Sequence, residues 1–318
     1  MARDVLNIGA SVRARLLDRA RREGADFQNI LTRYALERLL YRLSVSAAGD
    51  RFVLKGAMLF AAWVDDPFRP TGDLDLLGFG EDEAEQIATT FRDICSLDVS
   101  DDGVAFDVEG LTAANIRETA DYGGVRVRTS ATIGGARVPV QIDIGFGDAV
   151  TPDPVEIDYP ILLDGPPPHL RAYPAQTVVA EKFEALVSLG LANSRMKDFY
   201  DLWMISRTFG FTSVELREAT TRTFTRRRSD LPVDVPSGLS DDFVAAKRGQ
   251  WRAFLARERL SAAPEDFATV VQTLRDFLLT PLAEAEPSTY AWPPGGPWSV
   301  PAPVSIEDQH AATRRVPS

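Results

Sequence analysis

Two aspartates two residues apart, in Arg69-Pro-Thr-Gly-Asp73-Leu-Asp75-Leu-Leu77, are the residues of this chain best suited to chemistry. The segment reads as a strand over residues 73–77, closed by Gly78 and Gly80. On a strand, positions i and i+2 share one face, about 6 to 7 Å apart, while Leu74 and Leu76 point the other way into a core. Two carboxylates held side by side repel unless a cation lies between them. Charged edge strands also carry such pairs, so the neighbouring sequence has to decide. Gln141-Ile-Asp143-Ile-Gly145 offers a third carboxylate, with Ile142 and Ile144 pointing inward and Asp143 outward. Three carboxylates on one face are hard to hold without a cation, and their oxygens suit Mg²⁺ or Mn²⁺. Upstream, Phe52-Val-Leu-Lys55-Gly56-Ala57 reads as a short strand that turns at Gly56 into a helix. The free N–H groups and positive dipole end of such a helix suit a triphosphate, to which Lys55 adds a charge.

Positioning these groups falls to the elements around them. Residues 13–22 and 27–43 read as helices, the second with Leu36, Leu39, Leu40 and Leu43 as a core stripe. An apolar helix runs from Gly56 to about Val64, a loop of Asp65, Asp66 and Pro67 follows, and a further helix spans roughly residues 83–93. Residues 104–111, 125–133 and 137–144 alternate apolar and polar side chains, and Gly134-Gly135 makes a hairpin turn between the last two. From Pro174 the pattern is helical, through 178–189, 197–208 and later segments to about Leu279. The expected fold class is α+β, a core with a mixed sheet followed by a helical C-terminal region. The expected division is N-terminal helices packed on the core over 1–50, the core over 51–173, a helical domain completing the active site over 174–280, and a flexible Pro-rich tail over 281–318.

Composition narrows the chemistry. The 318 residues are 45% hydrophobic and 25% charged, which fits a globular chain able to bury a sizeable core. Its histidines are two, His169 and His310, both in Pro-rich or terminal stretches, so a Ser/His/Asp hydrolase, a histidine zinc site and a cysteine–histidine protease are all disfavoured. Cys95 is a single cysteine, with no internal disulfide and no CxxC site open to it. Chemistry then has to run on carboxylates, lysines and hard cations. The charged N-terminal stretch lacks a secretory apolar region and no uncharged run reaches membrane-spanning length, so the chain is expected in the cytosol with no membrane partner. A net charge of −11 speaks against a broadly basic surface, but positive residues concentrate over 217–228 and 247–259. Such a run is either a solvated helix face or a local nucleic-acid contact.

Taken in order, Gly56, Asp73-x-Asp75 and Asp143 resemble the polymerase-beta-like nucleotidyltransferases. Over residues 35–203 the chain more closely resembles the AbiEii/AbiGii toxin family, to which the MenT toxins are related. The blocks that carry this are Phe52-Val-Leu-Lys-Gly-Ala-Met, Arg69-Pro-Thr-Gly-Asp-Leu-Asp-Leu, Ile142-Asp-Ile-Gly-Phe-Gly-Asp148, and Val179-Ala-Glu-Lys182-Phe-Glu-Ala through Arg195-Met-Lys-Asp198-Phe-Tyr-Asp201-Leu. The resemblance implies transfer of a nucleoside monophosphate from an NTP, with metal on Asp73, Asp75 and Asp143, and Lys182 and Asp198 in the catalytic set. Lys55, Gly56, Arg69, Thr71 and Lys182 are then expected against the nucleotide. It further implies a toxin of a type IV toxin–antitoxin or phage-defence (abortive-infection) system, with a separately encoded antitoxin, and an RNA acceptor such as a tRNA 3′ end. Arg217, Arg222, Arg226, Arg227 and Arg228 are the expected RNA contacts. The turn departs from the Gly-Ser of polymerase-beta-like enzymes, because Ala57 follows Gly56, and Thr71 or backbone N–H groups are expected to take over the missing hydroxyl's part. Two other readings share these blocks: an enzyme that nucleotidylates protein hydroxyls, and a degenerate domain that senses nucleotide or RNA without turnover.

Overall fold

The apolar residues that alternate with the charged ones, Leu54, Leu74, Leu76, Ile142 and Ile144, are all buried. They line one face of a mixed sheet in a computed structural model that describes residues 7–63, 71–99, 101–119, 122–283 and 289–300. Among the described residues its strands are β1 (Phe52–Lys55), β2 (Asp73–Gly78), β3 (Val104–Phe106), β4 (Thr112–Thr119), β5 (Tyr122–Ile133), β6 (Ala136–Phe146), β7 (Val155–Asp158) and β8 (His169–Ala172). Their order is β3-β5-β6-β2-β1-β8-β7, with β4 also paired to β5. β2 runs parallel to β6 and β1 parallel to β8, while the other pairs are antiparallel.

Helices α1 (Ile8–Glu23) and α2 (Phe27–Val45) begin at side-chain caps, Asn7 accepting from the Ala10 N–H and Asp26 from the Asn29 N–H. Gly56 opens a 3₁₀ turn, Gly56–Met58, which leads into the short helix α3 (Leu59–Trp63). The expected end of that helix at Val64 and the loop after it lie outside the described residues. Together with α4 (Ala84–Cys95), α1 and α2 cover the apolar face of the sheet, through β4, β5 and β6. The other face carries the carboxylates.

The strand expected over 104–111 stops at Phe106, because the Asp107 carboxylate accepts the Gly110 N–H and bends the chain. β4, β7 and β8 are additions to the expected strands; their residues lack the strict alternation that marks β5 and β6. The hairpin turn stands at Gly134 and Gly135, with φ of 52° and 81°, a left-handed pair that glycines adopt without strain.

The chain divides into two units, the first comprising Met1–Val178, Arg222–Ser229 and Glu258–Leu260, the second Val179–Thr221, Asp230–Arg257 and Ser261–Ser318. The first holds the eight-stranded sheet. The second is built from most of α5 (Ala175–Leu189), from α6 (Met196–Thr208), the start of α7 (Ser213–Arg227), α8 (Asp241–Glu258) and α9 (Phe267–Ala283), with a small ribbon of β9 (Phe211–Thr212) and β10 (Ala291–Trp292). Its core is aromatic: Phe199 stacks on Phe243 and meets Phe267, on which Trp251 stacks.

The expected tail from residue 281 is corrected by this ribbon. β10 pairs with β9, Trp292 packs 5.0 Å from Phe277, and its indole N–H donates to the Ser206 carbonyl. Trp298 stacks on the same phenyl ring. Two tryptophans supply a docking face without any helical periodicity, which is why pattern alone reads the stretch as unpacked. Residues 284–288 and 301–318 lie outside the described residues. No helix among the described residues is long and apolar enough to cross a membrane.

Candidate active site

Strand register sets four charged side chains in a row. Lys55 on β1 is opposite Asp75 on β2, Asp75 opposite Asp143 on β6, and Asp143 opposite Arg126 on β5. One pleat along, Asp73 pairs with Gln141 and Gln141 with Arg128. Parallel pairing of β2 with β6 therefore brings the three aspartates together, with one carboxylate oxygen from each lying within 4.8 Å of the others. Asp143 is buried and the other two are half-buried.

Each carboxylate is oriented. Arg126 grips Asp143 with two parallel bonds, Nε to Oδ1 at 2.7 Å and Nη2 to Oδ2 at 2.6 Å, and the Gln141 amide lies 3.4 Å from Oδ2. Those hydrogen bonds, against a smaller opposing desolvation and with the charge of all three aspartates, hold the Arg126 guanidinium above its ordinary value. The Thr71 hydroxyl donates to Asp73 Oδ1 at 2.7 Å. Expected to stand in for a phosphate-binding hydroxyl, Thr71 instead fixes a carboxylate. Asp75 lies against Gly56, where a Cβ would sit 2.0 Å from Asp75 Oδ2, and Gly56 has a φ of +74°. Steric room and backbone conformation both call for glycine there.

Lys55, expected to face a phosphate, instead places its ammonium 2.7 Å from Asp148 Oδ2, and both side chains are buried, at 9% and 7% exposure. A buried ammonium needs a carboxylate close by, and Asp148 meets that need. Lys55 also lies over the Tyr173 ring. Asp148 receives a second cation, Arg227, at 3.7 Å, and Arg226 donates its Nε–H to the Gly147 carbonyl. Two members of the arginine run expected to meet RNA are thus engaged with the loop after β6. Arg222 and Arg228 are exposed and Arg217 half-buried on the same α7 segment. Arg69 lies outside the described residues.

Lys182 and Asp198 belong to the second unit. The Lys182 ammonium lies 2.7 Å from Asp201 and 3.0 Å from Asp198, whose side chains are 0% and 1% exposed. Arg195 adds a third ion pair, 2.6 Å from Asp198. Burial alone would raise the Asp198 carboxyl; the charges of Lys182 and Arg195 and the Lys182 hydrogen bond overcome it and hold the group below the usual carboxylate range. Sequence reasoning alone misses Arg126, Gln141 and Asp148 around the carboxylates of the first unit, and Asp201 beside Lys182 in the second.

The donor set of the carboxylate trio, hard oxygens from three side chains on two adjacent strands, fits a divalent cation of the Mg²⁺ or Mn²⁺ kind. It offers no sulfur or imidazole. A cation held there can gather negative oxygens of a substrate, as phosphoryl transfer requires.

Comparison with known proteins agrees with this chemistry. Residues 38–273 match a family described as "Nucleotidyl transferase AbiEii toxin, Type IV TA system", TA being toxin–antitoxin. No protein of curated function matches the chain at a significant level. Among solved structures, that of JHP933 from Helicobacter pylori aligns with a TM-score of 0.46 at 13% identity, covering 80% of this chain and 95% of that one. A second crystal structure from H. pylori, carrying a provisional nucleotidyltransferase name, aligns with a TM-score of 0.45 at 13% identity, over 80% and 98% of the two chains.

Proposed function

Because the chain belongs to the AbiEii nucleotidyltransferase toxin family of type IV toxin–antitoxin systems, we propose that it moves a nucleoside monophosphate from an NTP onto RNA, at the 3′ end of a tRNA. The observation that carries the reading is the convergence of Asp73, Asp75 and Asp143 within 4.8 Å beside the Gly56 turn. These three would hold Mg²⁺ or Mn²⁺. When bound, the cation supplies Lewis acidity that lowers the pKa of an attacking hydroxyl and offsets the charge of leaving pyrophosphate.

The chain's own contribution is placement and charge. Thr71 fixes Asp73 through one oxygen. Arg126 and Gln141 fix Asp143. Gly56 lets the backbone of the turn approach Asp75 with no side chain between them. The Lys55–Asp148 pair, held from α7 through Arg227, anchors the end of β1 where this turn begins. Among the described residues, the carboxylate cluster includes no histidine.

The RNA acceptor, the tRNA 3′ end, the catalytic part of Lys182 and Asp198 and the partnership with a separately encoded antitoxin are carried by the family resemblance. The test is incubation of purified protein with total RNA, Mg²⁺ and each α-labelled nucleoside triphosphate in turn. Label at the 3′ end of small RNA is expected. Label confined to protein would replace the RNA acceptor with a protein one, and no labelled macromolecule would overturn transfer itself.

A further inference from the structure

The sheet face that carries the carboxylates continues past them as an open, arginine-bearing surface. Outward positions on β5 run Arg126, Arg128, then Ser130, and those on β6 run Asp143, Gln141, then Pro139 and Arg137, since residues two apart share a face. β4 extends the same face with Thr112 opposite Arg128 and Ala114 opposite Arg126. Arg128, Arg137, Thr112 and Ala114 are all exposed.

An antiparallel sheet with one solvated face carries polar side chains there. Here, beyond Asp143, the described outward positions of β5 and β6 hold three arginines and no carboxylate, in a chain with 46 acidic against 35 basic residues. Arg137 has a carboxylate beside it, Asp107 just past β3, at 3.7 Å. Arg128 reaches the neutral Gln141 at 3.4 Å, and Arg137 donates to the Ser130 hydroxyl at 3.1 Å. Arg126 and Arg128 stand about 7 Å apart along their strand, and Arg137, six residues before Asp143, lies about 20 Å from it. The row thus begins at the carboxylates and leads away from them over a length suited to several phosphates of an extended strand.

We propose that Arg128 and Arg137 form the acceptor track, binding backbone phosphates of a single-stranded RNA 3′ segment whose terminal hydroxyl reaches Asp73, Asp75 and Asp143. The inference rests on the RNA-transfer reading above and moves the acceptor contact from the α7 arginines, two of which are held by Gly147 and Asp148, to the sheet. Small Thr112 and Ala114 leave the face flat enough for a strand to lie across it.

The test uses the full chain with Arg128→Gln and Arg137→Gln combined, both exposed positions outside the carboxylate set. A labelled single-stranded oligoribonucleotide is titrated without metal at several salt concentrations. Removing each phosphate-binding charge should reduce the slope of log affinity against log salt by about 0.7, so about 1.4 for the pair. Incorporation onto RNA should fall through a raised KM for RNA, with NTP affinity within about twofold of wild type. An unchanged slope and RNA KM in the double variant, alongside clear binding by wild type, overturns the track alone. Wild type that neither binds nor labels RNA overturns the acceptor reading and the track with it.

Discussion

Replacing Gly56 by alanine should disable the protein more than it destabilises it. Two effects add at this position. A left-handed φ of +74° costs a non-glycine residue about 1–2 kcal/mol. The new methyl would also lie 2.0 Å from Asp75 Oδ2 and 2.7 Å from its Cβ and Cγ, where ordinary contacts begin near 3.4 Å. Turn or carboxylate must therefore give way by more than about 1 Å. A displacement of that size at a reacting centre costs on the order of 100-fold in rate. Gly24, the left-handed cap of α1 with φ of +63°, has nothing within 4 Å of a built Cβ, so Gly24→Ala isolates the conformational cost. Urea unfolding should show both variants losing about 1–2 kcal/mol, with extra loss at Gly56 limited by how far Asp75 swings aside. Label transfer from NTP, per folded molecule, should drop about 100-fold for Gly56→Ala and stay near wild type for Gly24→Ala. Equal turnover in the two variants would refute the argument that Asp75 needs the space Gly56 leaves.

Lys182→Ala should cost about 3–5 kcal/mol by thermal or urea unfolding, since it removes the cation shared by buried Asp198 and Asp201 and leaves Asp198 to Arg195, and adding Asp198→Asn should restore part of it; a loss under about 1 kcal/mol would contradict the burial argument. Because the folded Asp198 carboxyl titrates below its unfolded value of 3.8, its contribution is present above that pH and disappears as pH falls below it, a loss the Asp198→Asn variant should not show. Glu37 behaves oppositely: burial, against Arg38 and the Leu162 N–H, pushes it from 4.5 to about 7. Its neutral form favours the fold, so stability should decline as pH rises from about 4.5 to 7, by at most about 3 kcal/mol, and Glu37→Gln should flatten that decline in a pH series of unfolding curves. Trp292→Ala should destabilise the second unit by roughly 3–5 kcal/mol, and near wild-type stability would return residues 289–300 to the unpacked reading.

The parts of the fold legible in the sequence are those where one face is wholly apolar. Leu74 and Leu76, Ile142 and Ile144, and Val125 and Val127 mark β2, β6 and β5 because each strand has one face in the core. Gly134-Gly135 is legible as a turn for its backbone demands, and it holds a further signal: counting outward from a two-residue hairpin pairs Arg126 with Asp143. β7 stays hidden because both its faces are largely solvated, and β4 because its outward residues include Ala114, which carries no polar signal. Pairing of β2 with β6, the step that unites the aspartates, joins residues more than sixty positions apart, Asp75 with Asp143, and has no local signature. Lys55 looks available from its position before Gly56; its partner Asp148 arrives by a loop that periodicity does not describe. Trp292 and Trp298 escape pattern reading for the same reason, since two rings and one indole hydrogen bond dock that segment.

The central claim is that Asp73, Asp75 and Asp143 form a metal-dependent nucleotidyl-transfer centre, and its most direct measurement is incorporation of α-labelled nucleotide into RNA by Asp75→Asn beside wild type at saturating Mg²⁺. Removing one of three ligands should take away at least about 4 kcal/mol of transition-state stabilisation, roughly a thousandfold in rate. Unfolding free energy without metal should be unchanged or higher, because one of three crowded negative charges is gone. Wild-type incorporation by Asp75→Asn would contradict the account.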